Sequence, residues 1–217
     1  IPDLSGIMCL LKPQAELYEK FFPKMNIRVL HPGIPLSSES STCSKAEKSI
    51  VYTGALTAQR DILKLLNAVS EMNDKSVKLY LVGGKGEELD IVADEVKRLN
   101  IEKRVEVTGW INFKEVKIYL KNACLGIVPM QPTFYNSYLT APMKIFDYLS
   151  YGIPVLAADL PSSREFLKEN QTGIFYEPGN KEDLLHKLNM VFADEALLAS
   201  MASNAKVYAR ENTWNTR

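Results

Sequence analysis

Residues able to hold an anion gather where strand-like runs hand over to helical ones. After the apolar run Cys124 to Val128, a helix start is expected near Ala141. The first turn of a helix carries unpaired amides and an effective charge of roughly +0.5. The amides of Thr140, Ala141, Met143 and Lys144 can therefore cradle a phosphate, while Pro142 lacks an N–H but has the φ that suits a first helical position. A plain helix start with an early proline is the alternative. On the same helix, Lys144, Asp147 and Tyr151 share a polar sector opposite Ile145 and Leu149. That sector is either a binding face or a solvated face with an i,i+3 ion pair. Arg60 stands at an earlier helix start, with Lys64 one turn on. The helix dipole makes a cation there slightly unfavourable, so a ligand anion explains Arg60 better than surface placement does. Gly83, Gly84 and Gly86 follow the second strand-like run, where a missing Cβ lets backbone approach a ligand or simply makes a tight turn.

Other chemistry finds little support. His31 and His186 have no neighbouring nucleophile and no metal-spaced partner, so both read as structural or solvent-facing. The three cysteines, Cys9, Cys43 and Cys124, are odd in number and far apart, which speaks against a disulfide framework and a zinc site and for a reducing compartment. No G-x-G-x-x-G opens the first strand-to-helix turn, where the residues are Gly54-Ala55-Leu56, so a nicotinamide dehydrogenase is disfavoured. No metal ligand set and no catalytic side chain is nominated.

The elements that must position these residues follow from patterning. Six strand-like runs, Ile50 to Gly54, Val77 to Val82, Val105 to Gly109, Cys124 to Val128, Ile153 to Ala157 and Gly173 to Tyr176, alternate with amphipathic helical runs. The helices are expected over Ile62 to Met72, Glu87 to Leu99, Phe113 to Asn122, Pro142 to Tyr151, Ser163 to Lys168, Lys181 to Phe192 and Glu195 to Arg210. Ser162 with Glu165 fits a capping box, and Asn112 and Asn180 fit N-caps. This alternation predicts an α/β fold, a doubly wound, Rossmann-like parallel sheet of about six strands covered on both faces.

Residues 1 to 45 read differently. They hold a short apolar stretch, a helix near Gln14 to Phe22, the run Ile27 to Leu30 and a Ser/Thr-rich linker, Ser37 to Ser44. The division expected is therefore 1–45 and 46–217. The 217 residues include 26 acidic and 26 basic side chains and 46% hydrophobic residues. Such balance gives no overall field for nucleic acid or an anionic bilayer, and no apolar run approaches the ~18 to 20 residues of a membrane span. Ile1 to Leu10 lacks the marks of a signal peptide, so the expected location is cytoplasmic.

Five ordered segments carry a resemblance: VLHPGIP (29–35), VYTGALTAQRDILKLLNA (51–68), LYLVGGKGEEL (79–89), RVEVTGWI (104–111) and APMKIFDYLSYGIPVLAADLPSSREFL (141–167). TGIFYEPGN (172–180) and Trp214 follow. Together they resemble the retaining group 1 (family 4 type) glycosyltransferases of GT-B fold, and specifically the C-terminal donor-binding domain. In that family two Rossmann-like domains face each other across a cleft, one for the acceptor and one for a nucleotide-diphosphate sugar. The resemblance implies that residues 1–45 are a remnant of the acceptor domain, the rest of which is missing from a shortened chain.

What the resemblance implies for the site is specific. Gly54, Arg60, Lys64 and the Thr140, Ala141, Met143 and Lys144 group would bind the donor diphosphate, although Ala55 stands where the family has an arginine. Asp147 takes the position of a glutamate that accepts both ribose hydroxyls. It is shorter by one C–C bond, about 1.5 Å, so closer approach or a bridging water is needed. Leu139 replaces a second glutamate that holds the transferred sugar, leaving backbone, Ser137, Tyr138 and Thr140 for that work. Gly83, Gly84, Trp110 and Ile111 match segments beside the base, and Trp110 either stacks on it or covers the sheet edge.

The implied function is transfer of a glycosyl unit from a UDP- or GDP-sugar, as substrate, to an acceptor with retention of configuration. No cofactor and no metal would be needed, and the donor phosphate would take the acceptor proton. The acceptor would be a glycan, a lipid-linked or a small molecule, and the missing parts could hold the enzyme at the inner membrane face. Two alternatives stay open: a nucleotide-sugar-binding module inactive without a partner chain, and a GT-B nucleotide-sugar epimerase.

Overall fold

The computed structural model describes residues 4–43 and 47–216. Every residue of the strands β6 (Leu125–Val128), β7 (Val155–Ala158) and β8 (Gly173–Tyr176) is buried, as is all of β3 (Ser49–Thr53) but its last residue. Continuous apolar strands of this kind need helices on both faces, and that is how they are covered. With β4 (Lys78–Val82) and β5 (Val105–Gly109) they form one sheet in the order β5-β4-β3-β6-β7-β8, all parallel. The order runs outward from β3 in one direction and, after the crossover to β6, outward in the other. Open α/β sheets bind ligands at the carboxyl ends flanking such a reversal.

The six expected strands all form. Their ends move by two residues or fewer, chiefly at β7, which starts after Pro154 because proline cannot donate to the ladder. The covering helices are α2 (Ile62–Glu71), α3 (Glu87–Arg98), α4 (Phe113–Asn122), α5 (Lys144–Ser150), α6 (Pro161–Arg164), α7 (Lys181–Ala193) and α8 (Glu195–Glu211). Asn112 closes a capping box with Glu115, and Asn180 caps α7 through the Asp183 amide. The capping box expected of Ser162 and Glu165 does not form. Helix α6 starts earlier, at Pro161, so Ser162 Oγ instead donates to the Asn136 carbonyl and Glu165 reaches His31 and the Lys12 amide. Helix α5 is also shorter than expected, and a π turn, Tyr135–Leu139, precedes it.

Ahead of the sheet lie β1 (Ile7–Cys9), α1 (Lys12–Phe21) and β2 (Ile27–Val29), the two strands pairing in parallel as a separate small sheet. The sequence shows α1 and β2 but reads β1 only as an apolar stretch. The crossing segment then passes the carboxyl ends of α8, α5 and α4. The Ile34 amide donates to the Asn212 carbonyl, Ser41 to Tyr151 and Thr42 to Lys121. The expected domain boundary at 45/46 lies outside the described residues.

This path brings Cys43 to Cys124 at the start of β6, and the two form a disulfide across a separation of 81 residues. The expectation of unpaired thiols is thereby corrected. Proximity arises from the returning linker and β6, which linear spacing does not display. The cysteine count accordingly gives no argument for a reducing compartment. Cys9 is the buried free thiol among the described residues.

One contact sets how α5 lies on the sheet. The ring of Tyr148 rests on Gly126 of β6, where an added Cβ would come within 2.3 Å of the ring. The Thr53 amide of β3 donates to the Tyr148 hydroxyl at 3.0 Å. Gly126→Ala is therefore expected to cost about 1 to 3 kcal/mol through overpacking. The check is a lower urea midpoint at unchanged slope; a change under about 0.5 kcal/mol would mean that the ring yields freely.

Candidate functional site

The carboxyl ends of four adjacent strands carry the nominated residues in spatial order. Trp110 and Ile111 follow β5, Gly83 and Gly84 follow β4, Gly54 follows β3, and the segment Leu139 to Lys144 lies beyond β6. At about 4.8 Å per strand this strip spans about 14 Å. Its floor is tightly closed: a Cβ at Gly83 would stand 2.4 Å from the Gly54 carbonyl oxygen, and both glycines have positive φ. Only residues without side chains let these two strand ends meet.

Lys144 reaches this floor, and Arg60 lies near enough to act on its charge. The space a Cβ would fill at Gly54 lies 3.5 Å from Lys144 Nζ, and the ammonium rests 3.9 Å from the centre of the Tyr52 ring. Tyr52 is fully buried and its hydroxyl donates to the Ala55 carbonyl, which holds the ring under the lysine. Burial, and next the Arg60 guanidinium, push the Lys144 ammonium down to about 7 against the pull of Asp147. Arg60 Nη1 donates to Met130 Sδ at 3.2 Å and to Asn136 Oδ1 at 3.4 Å, both neutral acceptors. Among the described residues no carboxylate comes within ion-pair distance of Arg60 or Lys144. Two cations thus share a partly enclosed space without a matching anion.

The segment beside them has amides to spare. Those of Thr140, Ala141, Met143 and Lys144 find no backbone acceptor among the described residues, and helical bonding starts with Ile145 on Pro142. Thr140 Oγ1 is buried without a hydrogen-bond partner. Leu139 ends the π turn half-buried.

Asp147 lies one turn along α5. Burial raises its carboxyl to about 6, with Lys144 opposing. Ile145, Phe146, Tyr148, Leu149 and Tyr151 are all buried, so Asp147 is a half-enclosed acid on a helix pressed into the core. Lys64 parts from the others. Its Nζ pairs with Asp61 at 3.4 Å and lies beside Gly179 in the loop after β8. Trp110 is 79% exposed, so it does not cover the sheet edge. Ile111 packs partly against the core. His31 has the structural role expected, on Glu165 at 2.6 Å and edge-on to Phe166. Tyr52, Met130, Asn136 and Tyr148 belong to the site's framework and were not singled out in the sequence.

Comparison with known proteins identifies the family and the fold. The family model described as glycosyl transferases group 1 matches residues 35–208. An uncharacterized glycosyltransferase of Methanocaldococcus jannaschii is 23% identical over 160 residues, covering 74% of this chain and 40% of that protein. The chitobiosyldiphosphodolichol beta-mannosyltransferase of Candida albicans is 26% identical over 205 residues, covering 85% of this chain and 44% of that one. The chain thus spans less than half the length of these curated relatives. Among solved structures, a variant of S. aureus TarM in complex with fondaparinux, alpha-GlcNAc-glycerol and UDP superimposes with a TM-score of 0.83 at 19% identity, covering 97% of this chain and 41% of that one. The α/β fold with a six-stranded parallel sheet is that of GT-B glycosyltransferase structures. With its model matched over most of the sequence, the chain belongs to the group 1 glycosyltransferase family.

Proposed function

We propose that this chain is the donor-binding part of a glycosyltransferase, holding a UDP- or GDP-sugar across the carboxyl ends of β5, β4, β3 and β6 while the sugar passes, with retention, to an acceptor. The observation that carries this reading is the pair Arg60 and Lys144, basic groups near enough to act on each other, with Lys144 beside Gly54 and, among the described residues, no carboxylate within ion-pair distance of either. A diphosphate supplies the missing charge, and the idle amides from Thr140 to Lys144 supply further donors. Asp147 would accept from the ribose, and the exposed Trp110 with the Gly83 and Gly84 backbone would flank the base. Lys64, already paired with Asp61, contributes less than its sequence position suggests.

The protein's share of catalysis on this reading is positioning and stabilisation of the leaving diphosphate, with the donor phosphate taking the acceptor proton. An acceptor side is also needed. Met8 and Phe21 of the small N-terminal sheet are 68% and 70% exposed, and a two-stranded parallel sheet is ordinarily part of a larger, covered one. That supports a facing domain built on β1, α1 and β2, which would hold a glycan, lipid-linked or small-molecule acceptor. It also favours the reading that the chain alone binds donor without transferring it.

Three measurements bear on the site. Arg60→Ala is expected to weaken UDP or GDP binding by about 1.5 to 3 kcal/mol, the range for bonds to charged groups, with an unchanged circular dichroism spectrum. Equal affinity in calorimetry would remove Arg60 from the site. The depressed Lys144 adds a pH signature. Above about pH 7 the free protein has lost this proton, and a bound diphosphate restores it. Binding should therefore take up a proton, and affinity should fall by as much as about tenfold per unit between about pH 7.5 and 9. Lys144→Gln should bind more weakly and with a flat profile, whereas a flat wild-type profile would mean that the ammonium does not meet the ligand. For Asp147 the test is a cycle of wild type and Asp147→Asn against ribo- and 2′-deoxyribo-diphosphates. The substitution should cost about 1 to 3 kcal/mol for the ribonucleotide and little for the deoxy form. Zero coupling would return Asp147 to a structural role.

A further inference from the structure

Arg60 is useful to an anion only if its guanidinium is held in place while its charge stays available. A carboxylate partner would hold it but cancel the charge, and bulk water would leave the charge but not the position. The structure offers a third arrangement. Asn136 is wholly buried, at 0% exposure, inside the π turn Tyr135–Leu139. Its Nδ2 donates to the Gln131 carbonyl at 2.9 Å and the Gln59 carbonyl at 3.3 Å, which uses both amide protons. A flipped amide would set Oδ1 against those two carbonyls and its NH2 against an Arg60 N–H, so the hydrogen-bond network fixes Oδ1 toward Arg60 Nη1.

The turn that carries Asn136 is anchored on both sides. Its amide donates to Thr133 Oγ1 at 3.1 Å, its carbonyl accepts from Ser162 Oγ at 2.6 Å, and the Ser137 amide donates to the Thr133 carbonyl. The Gln131 amide also donates to the Gln59 carbonyl, so the loop bearing Arg60 and the loop after β6 are joined twice at the same oxygen. Turns of π type are rare and often mark functional positions. Here the wide turn tucks Asn136 and Ser137 inside while Tyr135 and Tyr138 stay exposed.

We infer that Asn136 is a positioning residue for Arg60, a neutral acceptor that aims the guanidinium at the donor diphosphate without neutralising it. The inference rests on the proposed diphosphate site. The competing account is that Asn136 merely satisfies two carbonyls and stabilises the π turn, with no special relation to Arg60.

A double-mutant cycle separates the two. Binding of UDP and GDP is measured by calorimetry for Asn136→Ala and Asn136→Ser, each alone and combined with Arg60→Ala, with the fold followed by circular dichroism and thermal midpoint. If Asn136 acts through Arg60, either substitution alone lowers affinity by about tenfold, the scale of one hydrogen bond to a charged group, and by less than about twofold once Arg60 is gone. Equal losses in both backgrounds, or no loss in either, overturn the inference. Failure of both single variants to fold also overturns it, by assigning Asn136 to the core alone. If Arg60→Ala by itself leaves affinity unchanged, the diphosphate reading of Arg60 has failed first, an outcome distinct from the others.

Discussion

A tyrosine ring laid on a glycine governs the geometry of this protein. Tyr148 can lie flat on β6 only because Gly126 has no side chain, and its hydroxyl then meets the Thr53 amide at the end of β3. Those two contacts fix the height and direction of α5 over the sheet. Lys144, one turn earlier, consequently lands on Tyr52 and beside Gly54, and Asp147 is drawn into a half-enclosed position. A helix of only seven residues has little stability of its own, so packing of this kind rather than propensity must hold it.

The electrostatics follow from that placement. A lysine beside an arginine, partly removed from water, is costly unless something repays it. The aromatic face of Tyr52 repays a part, and Asp147 acts from farther along the helix. What is left is a pair of basic groups for which, among the described residues, no carboxylate stands at ion-pair distance, the gap that the proposed diphosphate would fill. The shifts of Lys144 and Asp147 toward neutrality, in opposite senses, are two views of the same desolvation.

The sheet was readable in the sequence because buried parallel strands are nearly pure apolar runs between helical ones, and all six appear where that pattern places them. The strip of glycines and the helix start at 140 to 144 were readable too, since backbone approach and spare amides depend on local order. Asn136, Tyr52 and Tyr148 were not. Their roles arise from contacts to residues 76, 92 and 95 positions away, such as Asn136 with Arg60, Tyr52 with Lys144 and Tyr148 with Thr53, and no period or motif marks them. The Ser162 capping box misled for a related reason: a local pattern was satisfied on paper, while both of its side chains had stronger distant partners. The Cys43–Cys124 bond is the same lesson at a separation of 81 residues.

The crossing segment is fastened to the elements around the main sheet at several points: Gly33 against Trp214, Ile34 on Asn212, Ser41 on Tyr151 and Cys43 on Cys124. Between the first of these and the end of β2 lie only Leu30, His31 and Pro32. A change of angle between the small sheet and the large one has that short stretch as its pivot, and proline leaves one of the three with a fixed φ. The catch on the pivot is Glu165, which holds both His31 and the first amide of α1. Glu165 directly follows α6, whose Ser162 is bonded to the carbonyl of Asn136. Tilting the small sheet against the large one therefore disturbs both the packing of α1 on the π turn and a carboxylate three residues from Ser162, whose hydroxyl bonds the Asn136 carbonyl.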